Sequence, residues 1–179
     1  TGYHFPETLK FRDKIIKEFG LNITTVKPKI SHDKFEDIHG KELFNTSPDL
    51  CCSINKIEPH ERAMKDSGYN YWISGIRKDQ SPERSNHEVF MRDNNGYVRV
   101  HPLLNWKWAD VWKYLRKFNV PFHPLYDQGY SSIGCSPESC TVPSRLQGDE
   151  RNGRWKNGSK TECGLHDRLS AKAGINQAS

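Results

Sequence analysis

At 179 residues and with one compositional texture, the chain has the length of a single domain able to bury a core. No run approaches the roughly 18 uninterrupted apolar residues of a membrane helix, which argues against a helical span. A net charge of +5 suits an anionic substrate, suits nucleic acid, and alone selects neither. The start, Thr1-Gly2-Tyr3-His4-Phe5-Pro6, lacks both the charged-then-apolar pattern of a signal peptide and an initiator Met. The chain is therefore expected to begin inside a longer protein or after processing.

In chain order, Phe5-Pro6-Glu7-Thr8 predicts a helix start, with Pro in the first turn and Glu7 at the positive end of the dipole. Leu9, Ile15, Ile16 and Phe19 give it an apolar side, and Gly20 ends it. Leu21 to Val26 reads as a short buried strand. Asp33 to Phe44 is a polar, weakly helical connection, and Glu58 to Asp66 is a helix. Tyr69 to Ile76 is rich enough in aromatic and β-branched residues for a strand. His87 to Met91 and Tyr97 to His101 flank Asn94-Asn95-Gly96 and predict a β-hairpin. Trp106 to Phe118 has helical spacing of Trp108, Val111, Trp112, Leu115 and Phe118, read as core packing. Strands alternating with helices argue for an α/β sheet domain. From about Tyr130 regular structure thins out, and the unusual residues sit on loops, as active-site segments do.

Five cysteines in this arrangement are not a disulfide framework. Cys51 and Cys52 are adjacent, Cys135 and Cys140 are close, and Cys163 stands apart. Without a secretion signal they point to metal binding or catalysis in a reducing compartment, and the sequons at Asn22, Asn45 and Asn157 read as chance. Four thiolates suit zinc or an iron–sulfur cluster. Adjacent ligands are awkward around one tetrahedral zinc, whereas a cluster offers separate iron corners. Four buried, unliganded thiols are the plain alternative. Arg151 and Arg154 flank Gly153, and Arg77 and Arg84 lie on the loop after a predicted strand. Either pair can present guanidinium groups to phosphate or sulfate, or form a solvated charged loop. Cys163, three residues from His166 and near several cations, suits a thiolate nucleophile or an incidental exposed thiol.

Together these segments resemble the assimilatory adenylyl-sulfate and phosphoadenylyl-sulfate (APS/PAPS) reductases. The likeness runs through Thr1-Gly2 with Phe5-Pro6-Glu7-Thr8, Cys51-Cys52 with Lys56-Ile57 and Pro59, and Trp72-Ile73-Ser74-Gly75-Ile76-Arg77 with Gln80-Ser81 and Arg84. It continues through His101-Pro102-Leu103 with Asp110-Val111-Trp112, and Pro124-Leu125-Tyr126-Asp127-Gln128-Gly129-Tyr130 with Ser132-Ile133-Gly134-Cys135. It ends in Glu150-Arg151, Gly153-Arg154-Trp155 and Glu162-Cys163-Gly164-Leu165-His166. The resemblance implies an adenine-nucleotide alpha-hydrolase-like (HUP/PP-loop) parallel-sheet domain over 1–130 and a catalytic, loop-rich segment over 131–179. It implies Cys163 as nucleophile, and Arg77, Arg84, Arg151, Arg154, Lys56 and His166 at the substrate. A [4Fe–4S] cluster falls on Cys51, Cys52, Cys135 and Cys140. The implied reaction turns APS into sulfite and AMP through an S-sulfocysteine, with a thioredoxin- or glutaredoxin-like dithiol as donor. A cytoplasmic protein (plastid in a plant or alga) is expected, with no membrane, no nucleic acid, and a homo-oligomer left open. The alternatives are a cluster-less, PAPS-using reductase and a non-catalytic metal-bearing binding module.

Three departures stand out. Cys135 and Cys140 are two residues further apart than the family's C-x-x-C, and Asn55 stands where an Arg is usual. The family's glycine-rich phosphate loop lies upstream of the segment that opens this chain, so the first strand and that loop are expected to be missing.

Overall fold

A computed structural model describes residues 1–93, 95–138, 140–144, 150–155, 160 and 162–166. Asn94 of the expected hairpin turn, the Asn157 sequon and Asp149 lie outside the described residues. So does 167–179 of the expected catalytic segment.

Helix α1 (Pro6–Phe19) starts with Pro6 in its first turn and Glu7 at its positive end. Gly20, at φ 61°, ends it by donating its N–H to the Ile16 carbonyl. Helix α2 (His32–His39) is capped by Ser31, whose hydroxyl accepts from the Lys34 N–H at 3.3 Å. The segment between them, expected as a strand from Leu21 to Val26, is irregular, and Leu21, Ile23 and Val26 are all exposed. Propensity alone does not make a strand: its N–H and C=O groups need a neighbouring strand, and here none pairs with it among the described residues.

A short core joins Tyr3, Phe35, Leu43 and Cys51, with Ile30, Phe44, Ile54 and Cys135 packed on it. Helices α3 (Leu43–Thr46) and α4 (Pro48–Cys52) lead into a π-helical turn, Ser53–Ile57, and then α5 (Glu58–Ser67). A π-turn inserts a residue into the helical repeat and re-aims the side chains around it. Here it follows the cysteine pair and carries Lys56.

Strands β1 (Tyr71–Ile73), β2 (Phe90–Arg92) and β3 (Val98–Val100) form a sheet of order β1-β3-β2. β1 runs parallel to β3, pairing Trp72 with Arg99, and β2 runs antiparallel, pairing Phe90 with Val100. The hairpin read from the sequence thus joins β2 to β3. The strand expected over Tyr69 to Ile76 is shorter, giving way to the loop that holds Arg77 and Arg84. Arg99, His101 and Leu104 are almost wholly buried beneath it.

Helix α6 (Trp108–Lys117) occupies the expected stretch, but none of its residues is buried. Its tryptophans do not enter the core. Trp112 packs edge-on against Phe122 and Tyr126, at 5.0 and 5.4 Å between ring centroids, and with Trp108 lines an open pocket. The stripe found a cover of aromatic loop residues instead of the sheet. Beyond Tyr130 the described residues form only isolated bridges, His4 with Cys135 and Thr141 with Arg154, as expected of a loop-built segment.

Candidate active site

Cys51, Cys52, Cys135 and Cys140 line one small pocket, walled by Tyr3, Phe44, Pro48, Pro137 and Trp155. No disulfide joins the five cysteines. The longer Cys135-to-Cys140 spacing is taken up by a turn: the Pro137 carbonyl accepts from the Cys140 N–H at 2.8 Å and the Thr141 N–H at 3.0 Å. Burial pushes the Cys51 thiol up to about 11, with the neighbouring Cys52 adding to it, and burial raises Cys52 as well. Such thiols ionise readily only against a cation. Among the described residues no group of three or more His, Cys, Asp or Glu side chains stands close enough for one metal ion. Four thiols lining one apolar pocket are a donor set that zinc or an iron–sulfur cluster could use. Asn55 fits here too: its amide donates to the Cys51 carbonyl at 3.1 Å and reaches the Cys51 sulfur at 3.8 Å.

Cys163 is half-buried, and both its flanks are anchored. On one side the buried Glu162 carboxylate takes Arg84 as a fork, Nε to Oε1 at 2.8 Å and Nη2 to Oε2 at 3.0 Å. It also accepts from the Ser81 hydroxyl at 3.0 Å and from Arg151 Nη2 at 3.2 Å. On the other, the His166 ring stacks on Trp72 at 5.4 Å and 16°, and Arg99 donates to the His166 carbonyl. Gly164, at φ 78°, makes the turn between the anchors, a backbone conformation costly for other residues. Burial first, then Arg84, His101, His87 and Arg99, hold the His166 imidazole neutral, its pKa down at about 3. His101 is lowered to about 4 by burial, His87 and Arg99.

Lys56 stands electrostatically between the two thiol groups. Burial works against its charge, yet Cys163, Cys135 and Cys52 raise its pKa above the ordinary lysine value. Burial lowers the pKa of the Arg151 and Arg154 guanidinium groups, and Cys163 is among the groups that work against that lowering in both. Both lie against the Trp155 ring, at 5.5 and 4.5 Å from its centroid. Arg154 is further held by the carbonyls of Cys140 (3.1 Å) and Ile133 (3.3 Å). It runs so close to Gly134 that a Cβ there would fall on the guanidinium.

The residues singled out in the sequence thus separate into two sets. Lys56, Arg151, Arg154, Arg84 and His166 gather around Cys163 or its anchors. Arg77 does not: it is paired with Asp79 (2.9 Å) and Glu150, and covers Trp108. Gln80 joins the sets, its amide oxygen accepting from the Arg77 N–H and from Arg84, and its amide nitrogen donating to Glu150 at 3.2 Å.

The family model for the phosphoadenosine phosphosulfate reductase domain matches residues 1–143. The chain belongs to this family. A phosphoadenosine 5'-phosphosulfate reductase of Gloeobacter violaceus is 43% identical over 168 residues, which are 93% of this chain and 69% of that protein. An adenosine 5'-phosphosulfate reductase of Bacillus thuringiensis is 42% identical over 169 residues, covering 93% and 70%. Among solved structures, the PAPS reductase of Candida auris in a phosphate complex matches with a TM-score of 0.67 and 33% identity, over 75% of this chain and 66% of that one. An FMN adenylyltransferase of Candida glabrata matches at TM-score 0.59 and 19% identity, over 79% and 40%, a likeness of fold. The α/β, adenine-nucleotide alpha-hydrolase-like class expected from the sequence is borne out.

Within this reductase family member, sequence reasoning missed Glu162, Ser81, Trp72 and Arg99 as the residues that seat the Cys163 segment. Glu162, Ser81 and Trp72 were visible only as motif letters. Arg99 had no signal at all, because inside a strand it is read as a surface position.

Proposed function

We propose that the protein transfers the sulfuryl group of adenylyl sulfate to Cys163 and yields sulfite and AMP, as an oxidoreductase of sulfate assimilation. The observation that carries this reading is the seat of Cys163: one thiol outside the four-thiol pocket, held between two anchored neighbours and facing Lys56, Arg151 and Arg154. The Cys163 thiolate attacks the sulfur of the sulfuryl group. The S–O bond to the phosphate breaks, and AMP leaves with the electron pair. Guanidinium and ammonium groups fixed around the site stabilise the charge growing on the leaving phosphate. A dithiol protein of the thioredoxin or glutaredoxin kind then attacks Sγ of the S-sulfocysteine. Sulfite departs, a mixed disulfide forms, and the second thiol resolves it, so that two electrons come from the dithiol.

Residues 1–130 serve as the nucleotide-binding part and 131–179 as the catalytic part. Cys51, Cys52, Cys135 and Cys140 are the residues that would hold a [4Fe–4S] cluster. Bound there, it would supply a fixed charge centre beside Lys56 and tie α4 to the Cys135 turn. Relatives bearing the APS and PAPS names are equally similar to this chain, so the choice of APS rests on the four-thiol pocket and the resemblance. The test is sulfite release by the full-length protein from APS and from PAPS with a dithiol donor. Turnover with APS that is lost in Cys163→Ser supports the reading, and sulfite release by that variant overturns it.

A further inference from the structure

We infer that a second cavity, between α5 and the turn of the β2–β3 hairpin, is a binding site for a small α-amino acid. Helix α5 contributes His60, Met64 and Lys65 to its wall, β1 contributes Trp72, and the turn contributes Asp93 and Tyr97. The turn precedes β3 and the loop of Ser81 and Arg84 follows β1. Those strands are parallel, so turn and loop leave opposite ends of the sheet. At about 260 Å³ the cavity lies just below the usual range for drug-sized ligands, so its occupant is smaller.

Three buried polar atoms on this wall, Asp93 Oδ2, Trp72 Nε1 and His60 Nδ1, have no hydrogen-bond partner among the described residues. Asp93 is only 5% exposed. Its other oxygen, Oδ1, accepts from the Asn95 N–H at 2.9 Å and the Tyr97 N–H at 3.1 Å, which fixes the carboxylate in place. Forming the turn therefore accounts for one oxygen of the two. A buried carboxylate oxygen left unmatched is costly, and so is a buried indole N–H. The first calls for a donor, best a cationic one, and the second for an acceptor. Burial lowers the pKa of His60 against the pull of Glu61 and Asp93, so the ring is neutral and Nδ1 can accept. Lys65 and Glu61, both exposed on the wall, add one charge of each sign. An ammonium one carbon away from a carboxylate meets all of these demands. The ammonium takes Asp93 Oδ2 and His60 Nδ1, and the carboxylate takes the Trp72 N–H and Lys65. The half-buried Met64 and Tyr97 are left to receive an apolar side chain.

The test titrates the full-length protein by calorimetry at neutral pH with L-alanine, L-valine and L-methionine. At least one should bind with a Kd of about 1 mM or tighter. The amine and the acid made by deleting either charged group from the tightest binder (for valine, isobutylamine and isovalerate) should each bind about tenfold more weakly. Asp93→Asn keeps the Oδ1 acceptor of the turn but puts an amide N–H2 in place of Oδ2, and should weaken binding by about tenfold. Lys65→Met should weaken it severalfold. No binding of any of the three amino acids, an amine or acid that binds as tightly as its parent, or unchanged affinity in Asp93→Asn would overturn the inference. If Asp93→Asn does not fold, the amine and acid comparison and Lys65→Met, at an exposed helix position, decide. None of these readouts involves adenylyl sulfate or Cys163, so their outcome is independent of the proposed function.

Discussion

Gly134 shows how tightly the arginines of the site are set. Any side chain there would strike the Arg154 guanidinium, which is already held by two backbone carbonyls and the Trp155 ring. Gly134→Ala is expected to displace Arg154 and weaken AMP or APS binding by about 1–3 kcal/mol, the usual cost of overpacking a filled site. Calorimetry with AMP checks it, and unchanged affinity would show that Arg154 does not contact the nucleotide. Arg154→Lys should weaken binding in the same direction, because a point charge cannot replace a planar fork. Gly153 is constrained in a similar way, since a Cβ there would meet the Val142 carbonyl oxygen. From the sequence, Arg151 and Arg154 could be singled out by their spacing. The carboxylates that occupy Arg77 and Arg84 could not, because Glu150 and Glu162 lie far along the chain from that loop and reach it only through the fold.

At the scale of elements, what was legible followed local chemistry. Helix α1 lies where Pro6 and Gly20 put it, and the β2–β3 hairpin lies where its turn residues put it. The π-helical turn Ser53–Ile57 was not legible, since nothing in Ser-Ile-Asn-Lys-Ile marks an added residue in a helical repeat. The strand expected at Leu21 to Val26 failed because strand propensity is realised only beside a partner. The two cysteine pairs were legible as pairs, yet their meeting in one pocket depends on the Pro137 turn, which no spacing rule foretells. The element-scale prediction concerns that pocket. Anaerobically purified protein should contain about four irons and four sulfides per chain, with a charge-transfer band near 400 nm, and Cys140→Ser should lose both. Stoichiometric zinc, or apo protein that folds and turns over normally, would count against the cluster.

For the whole molecule, two buried imidazoles make stability depend on pH. His101 and His166 have folded pKa values near 4 and 3, below the unfolded value of 6.5. Between 6.5 and those values the unfolded chain binds more protons than the folded one. Stability is therefore fully present above pH 6.5 and falls as pH drops. The urea midpoint should decline from pH 7 to pH 5, and less steeply in His166→Gln. A flat profile would mean that these rings are not buried neutral in solution. The central claim joins this fold to its chemistry through a single sulfur. Full-length protein mixed with APS and no reductant, then digested and analysed by mass spectrometry, should carry one added sulfonate on the peptide containing Cys163, and Cys163→Ser should carry none. A sulfonate on any other cysteine, or none in the wild type, would contradict the account.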